Sequence, residues 1–135
     1  MKRITGMAVI LSTLMTGSAV MAHCEIPCGI YGDRMRIDML REHCTTLEKS
    51  MKQIIELQKA DDINYNQLVR WVTNKDLHAN KVQEIVYQYF MNQRITPVEA
   101  GKGEEYDHYV RQITLLHRML VQSMKAKQTT DLSHI

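Results

Sequence analysis

Apolar residues recur along most of the chain at spacings of three and four, which is the period of an amphipathic α-helix. The clearest stripe consists of Ile37, Leu40, Cys44, Leu47, Met51 and Ile54. No segment alternates between apolar and polar residues for long enough to indicate a β-strand. The pattern therefore predicts an all-α protein.

Polar and turn-forming residues divide this pattern into segments. Asp33 is a plausible N-cap of a first helix, which we expect to end near Lys59. A second helix is expected from about Asn64. The sequence Thr73-Asn74-Lys75-Asp76 favours caps and turns, so it predicts a break between this helix and a third one.

The third helix is expected to begin near Leu77 and to end before Thr96-Pro97, where Pro97 and two nearby glycines indicate a loop. A last helix is predicted from about Glu104 to Lys125. Four helices with short connections are typical of a four-helix bundle, here spanning residues 34–127. The remaining residues, 128–135, form a polar tail that we expect to be frayed.

Residues 1–22 have the features of a cleavable leader rather than of a helix in the bundle. Lys2 and Arg3 precede a short apolar run, and small residues lead up to Ala22. The apolar run is too short to span a bilayer, which takes roughly 20 residues. Cleavage after Ala22 would make His23 the first residue of an exported protein, periplasmic or secreted. Removal of the same segment inside the cell, as a propeptide, would instead leave the protein in the cytoplasm.

The charge of the chain excludes some classes of function. Of the 17 Lys and Arg residues, two lie in the leader, so the remaining basic side chains equal the 15 acidic ones in number. They form no basic arm or stripe of the kind that nucleic-acid-binding proteins use. After the leader, no apolar run is long enough for a membrane span.

Directly behind the leader, residues 23–33 bring two thiols and an imidazole close together. Cleavage before His23 would leave a free α-amine with a pKa of about 8. This amine, the next backbone nitrogen and the thiolates of Cys24 and Cys28 can lie in one plane around a metal ion, and Pro27 helps the loop to return Cys28 to it. The His23 imidazole can occupy an axial position. Planar nitrogen and sulfur donors suit Ni(II) or Cu(II), whereas Zn(II) prefers a tetrahedron.

The segment His-Cys-Glu-Ile-Pro-Cys-Gly-Ile-Tyr at residues 23–31 resembles the N-terminal signature of the nickel superoxide dismutase family. The resemblance implies a nickel-binding hook, with one nickel ion per subunit held by His23, Cys24 and Cys28. It also implies disproportionation of superoxide to dioxygen and hydrogen peroxide by cycling between Ni(III) and Ni(II). The implied assembly is a homohexamer of four-helix bundles. A processing peptidase is expected to remove the leader.

The family also implies roles for residues around the metal. Tyr31 would stand over the open axial face, where its hydroxyl helps to hold superoxide or water. Asp38 is the expected counterpart of a carboxylate that orients the axial imidazole, and Arg70 of the arginine behind it. Glu25 stands where the family commonly has Asp.

Two other classes of function fit the same residues. An exported module could bind nickel or copper without turnover. Alternatively, Cys24 and Cys28 could form a small disulfide loop in a structural or thiol-disulfide protein. Cys44 lies on the apolar stripe of the first helix, so we expect it to be a buried structural thiol.

Overall fold

A computed structural model describes residues 29–135 of the protein and shows an all-helical bundle in this part of the chain. The leader and the hook residues up to Cys28 lie outside the described residues. The helices are α1 (Asp33–Leu57), α2 (Tyr65–Glu84), a π-helical segment (Ile85–Arg94) that continues α2, and α3 (Glu104–Gln128). The predicted all-α class is confirmed. Because the π segment continues α2 directly, these four segments form three continuous helices.

Helices α1 and α2 pack antiparallel and supply most of the core. Increasing positions of α1 meet decreasing positions of α2 and of the π segment that continues it: Asp33 contacts Tyr89, His43 contacts His78, and Ser50 contacts Asn74. The core consists of buried residues from both helices together with partly buried side chains of α3. Its buried members are Leu40, Leu47, Ala79, Val82, Ile85 and Val86.

The predicted break at residues 73–76 is wrong, because α2 runs through them without interruption. Two of these polar residues, Asn74 and Lys75, bond to neighbouring helices and do not end α2. The Asn74 amide donates to the Ser50 hydroxyl, 2.9 Å away on α1, and Ser50 in turn donates to the Thr46 carbonyl at 2.8 Å. A buried polar group that is hydrogen-bonded in this way does not interrupt a helix.

Lys75, from the same four residues, has a buried ammonium group that caps the C-terminal end of α3. The side chain is 4% exposed, and Nζ donates to the carbonyls of Ala126 and Lys127 at 2.7 and 2.6 Å. Its third contact is with the Asp76 carboxylate at 2.8 Å. Positive charge is favourable at a helix C-terminus, where backbone carbonyls have no partners within the helix. Lys75 therefore joins α2 to the end of α3.

The predicted fraying of the tail is also wrong. After α3 the chain forms a short 3₁₀ turn (Leu132–His134), whose start is capped by the Asp131 carboxylate accepting from the Ser133 N–H at 2.9 Å. The His134 ring nitrogen Nδ1 lies 2.8 Å from the Gln122 side-chain oxygen on α3. The tail thus folds back onto the helix before it.

A pair of histidines connects α1 and α2 near the middle of the bundle. The Nδ1 atoms of His43 and His78 are 3.1 Å apart, so one hydrogen atom can be shared between the rings. Burial lowers the pKa of each imidazole; repulsion from the nearby Lys81 ammonium lowers both further, and the Glu42 carboxylate opposes the shift. Both rings are therefore harder to protonate in the folded protein than in the unfolded chain.

None of the helices within residues 29–135 is both long enough and apolar enough to cross a membrane.

Replacing the buried ammonium tests the role of Lys75. Lys75→Met leaves the Ala126 and Lys127 carbonyls without their donor, so we expect the free energy of unfolding to fall by about 2–3 kcal/mol. Urea unfolding followed by the fluorescence of Trp71, the single tryptophan, measures this. Lys125→Met, at an exposed position of α3, is the matched control. Equal stability of the two variants would contradict the assigned role.

The histidine pair predicts how stability depends on pH. Because both pKa values are lowered in the folded state, the unfolded chain binds protons that the native protein does not, and stability is lost as pH falls below about 6.5. In His78→Asn, the free energy of unfolding should fall less between about pH 7.5 and about pH 5.5 than it does in the unmodified protein. His108→Asn, exposed on α3, should leave it unchanged. An unaltered pH dependence in His78→Asn would show that the pair does not act in this way.

Candidate functional site

Tyr31 lies two residues before α1 and three residues after Cys28, and its side chain is half exposed. Its ring meets the edge of the Tyr89 ring at a centroid distance of 6.4 Å and an angle of 72°. The guanidinium carbon of Arg94 lies 4.2 Å from the centroid of the Tyr31 ring. Edge-to-face aromatic and cation–π contacts are both attractive at these distances. One face of Tyr31 is thus fixed against the π segment, while the side chain as a whole remains accessible.

The carboxylate of Asp33 holds these groups together. Arg94 donates to both of its oxygens, from Nε at 2.8 Å and from Nη2 at 2.9 Å, and the Tyr89 hydroxyl donates to one of them at 2.7 Å. Such a two-point arginine–carboxylate contact fixes orientation as well as distance. We refer to Asp33, Tyr89 and Arg94 as the Asp33 clamp. It joins the first residue of α1 to the π segment next to Tyr31.

The π-helical geometry explains why Tyr89 and Arg94 reach the same carboxylate. In a π-helix, each backbone N–H donates to the carbonyl five residues earlier, as the Ile95 N–H does to the Phe90 carbonyl at 3.0 Å. Residues five apart therefore lie about one turn apart on the same side of the helix. Tyr89 and Arg94 are also five apart, so they share a face. In an α-helix the same spacing would turn them well away from each other. The local change of helix type therefore builds this side of the site.

The protonation states of the clamp residues fit the hydrogen bonds between them. Hydrogen bonds from Arg94 and Tyr89 hold the pKa of the Asp33 carboxyl below its usual value, so it is ionised at neutral pH. Burial and the adjacent Asp33 carboxylate raise the pKa of the Tyr89 hydroxyl, which therefore stays protonated and donates. These interactions weaken when acid protonates Asp33. A carboxyl whose pKa is lowered by folding stabilises the folded state at neutral pH, and this stabilisation is lost as the pH falls through the folded-state pKa.

The structure also gives Asp33 a different role from the one predicted. The residue is the first of α1, the N-cap position is Gly32, and no side-chain bond caps the helix. The Asp33 carboxylate turns instead to the π segment. An acidic group in the first turn still interacts favourably with the helix dipole.

The residues expected around the metal are placed as follows. Asp38 is half exposed on α1 and accepts from Arg34 and Arg41, each at 3.0 Å. Arg70 lines a surface groove that also includes Thr46 of α1. By the rise of a helix, Thr46 lies roughly 20 Å along α1 from the clamp. The structure therefore brings Arg94, and not Arg70, to Tyr31.

The expected metal ligands His23, Cys24 and Cys28, with Glu25 between them, lie outside the described residues. Among residues 29–135, no group of three or more His, Cys, Asp or Glu side chains is arranged to hold a metal ion. Cys44, half-buried against the core, forms no disulfide there, and burial raises the pKa of its thiol. A protonated, partly buried thiol fits the predicted structural role.

The clamp predicts that Arg94 fixes the Tyr31 ring. Arg94→Gln removes both the two-point contact with Asp33 and the cation over the ring, so nuclear Overhauser contacts between the Tyr31 and Tyr89 rings should weaken or vanish. Arg111→Gln, at an exposed position of α3, makes the same chemical change away from the site and should preserve them. Undiminished ring contacts in Arg94→Gln would mean that Tyr31 is held by other interactions.

Comparison with known proteins identifies the family. No significant match was found to a curated protein or to a solved structure. The sequence model described as nickel-containing superoxide dismutase matches residues 18–135, a range that includes both the motif at residues 23–31 and all the helices described above. The match covers most of the chain and agrees with the resemblance seen in the motif. The protein belongs to the nickel-containing superoxide dismutase family.

Proposed function

We propose that this nickel-dependent superoxide dismutase converts superoxide at a metal centre formed by residues 23–28 after the chain is cut before His23. The observation that carries the proposal is the family match, which extends through the hook motif as well as the helices. The position of Tyr31 supports it. Three residues after Cys28 span at most about 11 Å, so the fixed tyrosine must lie close to the hook.

The donor atoms of the hook fit nickel. The His23 amine, the Cys24 backbone nitrogen and the thiolates of Cys24 and Cys28 would supply two nitrogens and two sulfurs, and the His23 imidazole would supply a further nitrogen. This set is typical of planar divalent nickel or copper rather than of tetrahedral zinc. Bound nickel supplies one-electron redox chemistry between Ni(III) and Ni(II), since anionic thiolates and a deprotonated amide stabilise the higher oxidation state.

The residues of the chain position the substrate and provide a hydrogen bond to it. Tyr31 offers a phenolic O–H, which can donate to superoxide or to a water molecule near the metal. The Asp33 clamp holds the Tyr31 ring from the side of the π segment. Because the ring is fixed in advance, its hydroxyl does not have to be ordered when the substrate arrives.

Three further residues keep their expected roles as proposals. Asp38 would orient the axial imidazole of His23, a role that hydrogen-bonded carboxylates commonly have beside metal-binding histidines. Glu25 would contribute to the fold of the hook through its backbone amide. Arg70, which lines the groove near Thr46, would support the carboxylate.

We also propose that the enzyme is exported, periplasmic or secreted, and forms a homo-oligomer, a hexamer by family resemblance. The leader-like residues 1–22 favour export. Exposed apolar side chains along one stripe of α2 favour association, since monomers rarely expose such groups together. The stripe consists of Tyr65, Val69 and Val72, which are 69%, 63% and 38% exposed.

Moving the terminal amine tests this function. We would prepare two chains, one beginning at His23 and one with a single alanine before it, and measure bound nickel and superoxide disproportionation. The extra residue removes the amine from its chelate ring, so nickel binding and activity should both be lost. A chain with alanine added after Ile135 is the control and should retain both.

Two results would contradict the proposal. Full nickel binding and activity in the chain with the preceding alanine would exclude the terminal amine as a ligand. Nickel bound without any turnover by the chain beginning at His23 would favour a metal-binding module instead.

A further inference from the structure

The arginines near the start of α1 are mostly paired with carboxylates. Asp38 accepts from Arg34 and Arg41, and Asp33 accepts from Arg94 through two hydrogen bonds. In each case a carboxylate stands directly against the guanidinium and reduces the field that it projects. Asp33 thus balances the charge of Arg94 beside Tyr31, whereas Asp38 balances one of its two arginines.

Arg36 is the exception. No salt bridge involves it within residues 29–135, and its Nε atom is fully buried there without a hydrogen-bond partner. Its guanidinium carbon lies 5.0 Å from the centroid of the Tyr89 ring, and Nη1 lies 3.8 Å from the Met39 sulfur. A partly buried cation with an unpaired N–H is unfavourable for stability. Stacking on the Tyr89 ring offsets part of this cost, because cation–π contacts are attractive.

The charge of Arg36 is held close to the candidate site. Its guanidinium stacks on Tyr89, and Tyr89 in turn contacts Tyr31. The Tyr89 hydroxyl is fixed to Asp33 at 2.7 Å, so the ring beneath Arg36 has a defined position. Arg36 thus places a positive charge, with no carboxylate partner among residues 29–135, one aromatic ring away from Tyr31, whereas the charge of Arg94 is matched by Asp33.

We propose that Arg36 guides superoxide to Tyr31, its guanidinium, stacked on the Tyr89 ring, supplying a fixed positive charge beside the site. This inference rests on the proposed function, in which the substrate is a small anion. Fixed positive charge near a site raises the local concentration of anions and their rate of arrival. Arg36 acts at a distance, so it is a guiding residue and not a catalytic one.

Three substitutions separate guidance from packing. Arg36→Gln removes the charge and keeps a planar polar group. Arg36→Lys keeps the charge while changing the stacking. Arg34→Gln makes the same change in net charge two residues away, at a side chain that is 82% exposed and paired with Asp38. Nickel content and urea unfolding confirm that each variant is folded and loaded.

The first measurement is the second-order rate constant for superoxide as a function of ionic strength. In about 10 mM salt we expect Arg36→Gln to react roughly two- to fivefold more slowly than the unmodified enzyme. Near about 1 M salt the Debye length falls to about 3 Å, so the difference should disappear. Arg36→Lys should react at nearly the unmodified rate, and Arg34→Gln should change it by less than Arg36→Gln does.

The second measurement needs no metal. Soluble nitroxide radicals enhance the relaxation of the Tyr31 protons in proportion to the local concentration of the radical. Comparing an anionic radical with a neutral one therefore reports the electrostatic potential near Tyr31. In the metal-free protein, the anionic radical should be more effective than the neutral one. Arg36→Gln should reduce this preference strongly, and Arg34→Gln only weakly.

Several results would overturn the proposal. One is a rate loss in Arg36→Gln that is the same at all salt concentrations and equal in Arg36→Lys, which would mean that Arg36 only packs against Tyr89. Another is an unchanged radical preference in Arg36→Gln. If the unmodified chain binds nickel without turnover, the proposed function fails, while the radical measurement still decides whether Arg36 sets the potential.

Discussion

The two-point contact between Asp33 and Arg94 is the interaction on which the arrangement of the site depends. It joins the first residue of α1 to the last residue of the π segment, and Tyr31 lies against the arginine that completes it. The hook precedes α1 directly. A carboxylate at this position therefore fixes the start of α1, together with Tyr31, against the π segment.

That contact requires the correct register between α1 and α2, and polar bonds inside the bundle set this register. Asn74 bonds to Ser50, and His78 meets His43. Apolar packing alone tolerates small shifts, whereas each of these bonds is satisfied in one alignment only. The polar residues in the middle of α2 thus determine where Tyr89 and Arg94 stand relative to Asp33.

The same residues explain which features could be predicted from the sequence. Apolar spacing predicted an all-helical bundle, because burial of a stripe requires nothing more than its period. The polar residues 73–76 predicted a break that is absent, because side chains that can cap a helix can equally bond to a neighbouring helix. The hook motif was recognisable because its donors lie within six residues. The Asp33 clamp was not, because its members are 56 and 61 residues apart and meet through a π turn that local propensity does not indicate.

The most direct test is to express the full gene with nickel and to measure the N-terminal residue, bound metal and superoxide activity of one purified sample. We expect a chain that begins at His23, about one nickel per subunit, and activity that is lost when the metal is removed. A fully active enzyme that begins elsewhere would contradict the central claim that the terminal amine of His23 completes the metal centre.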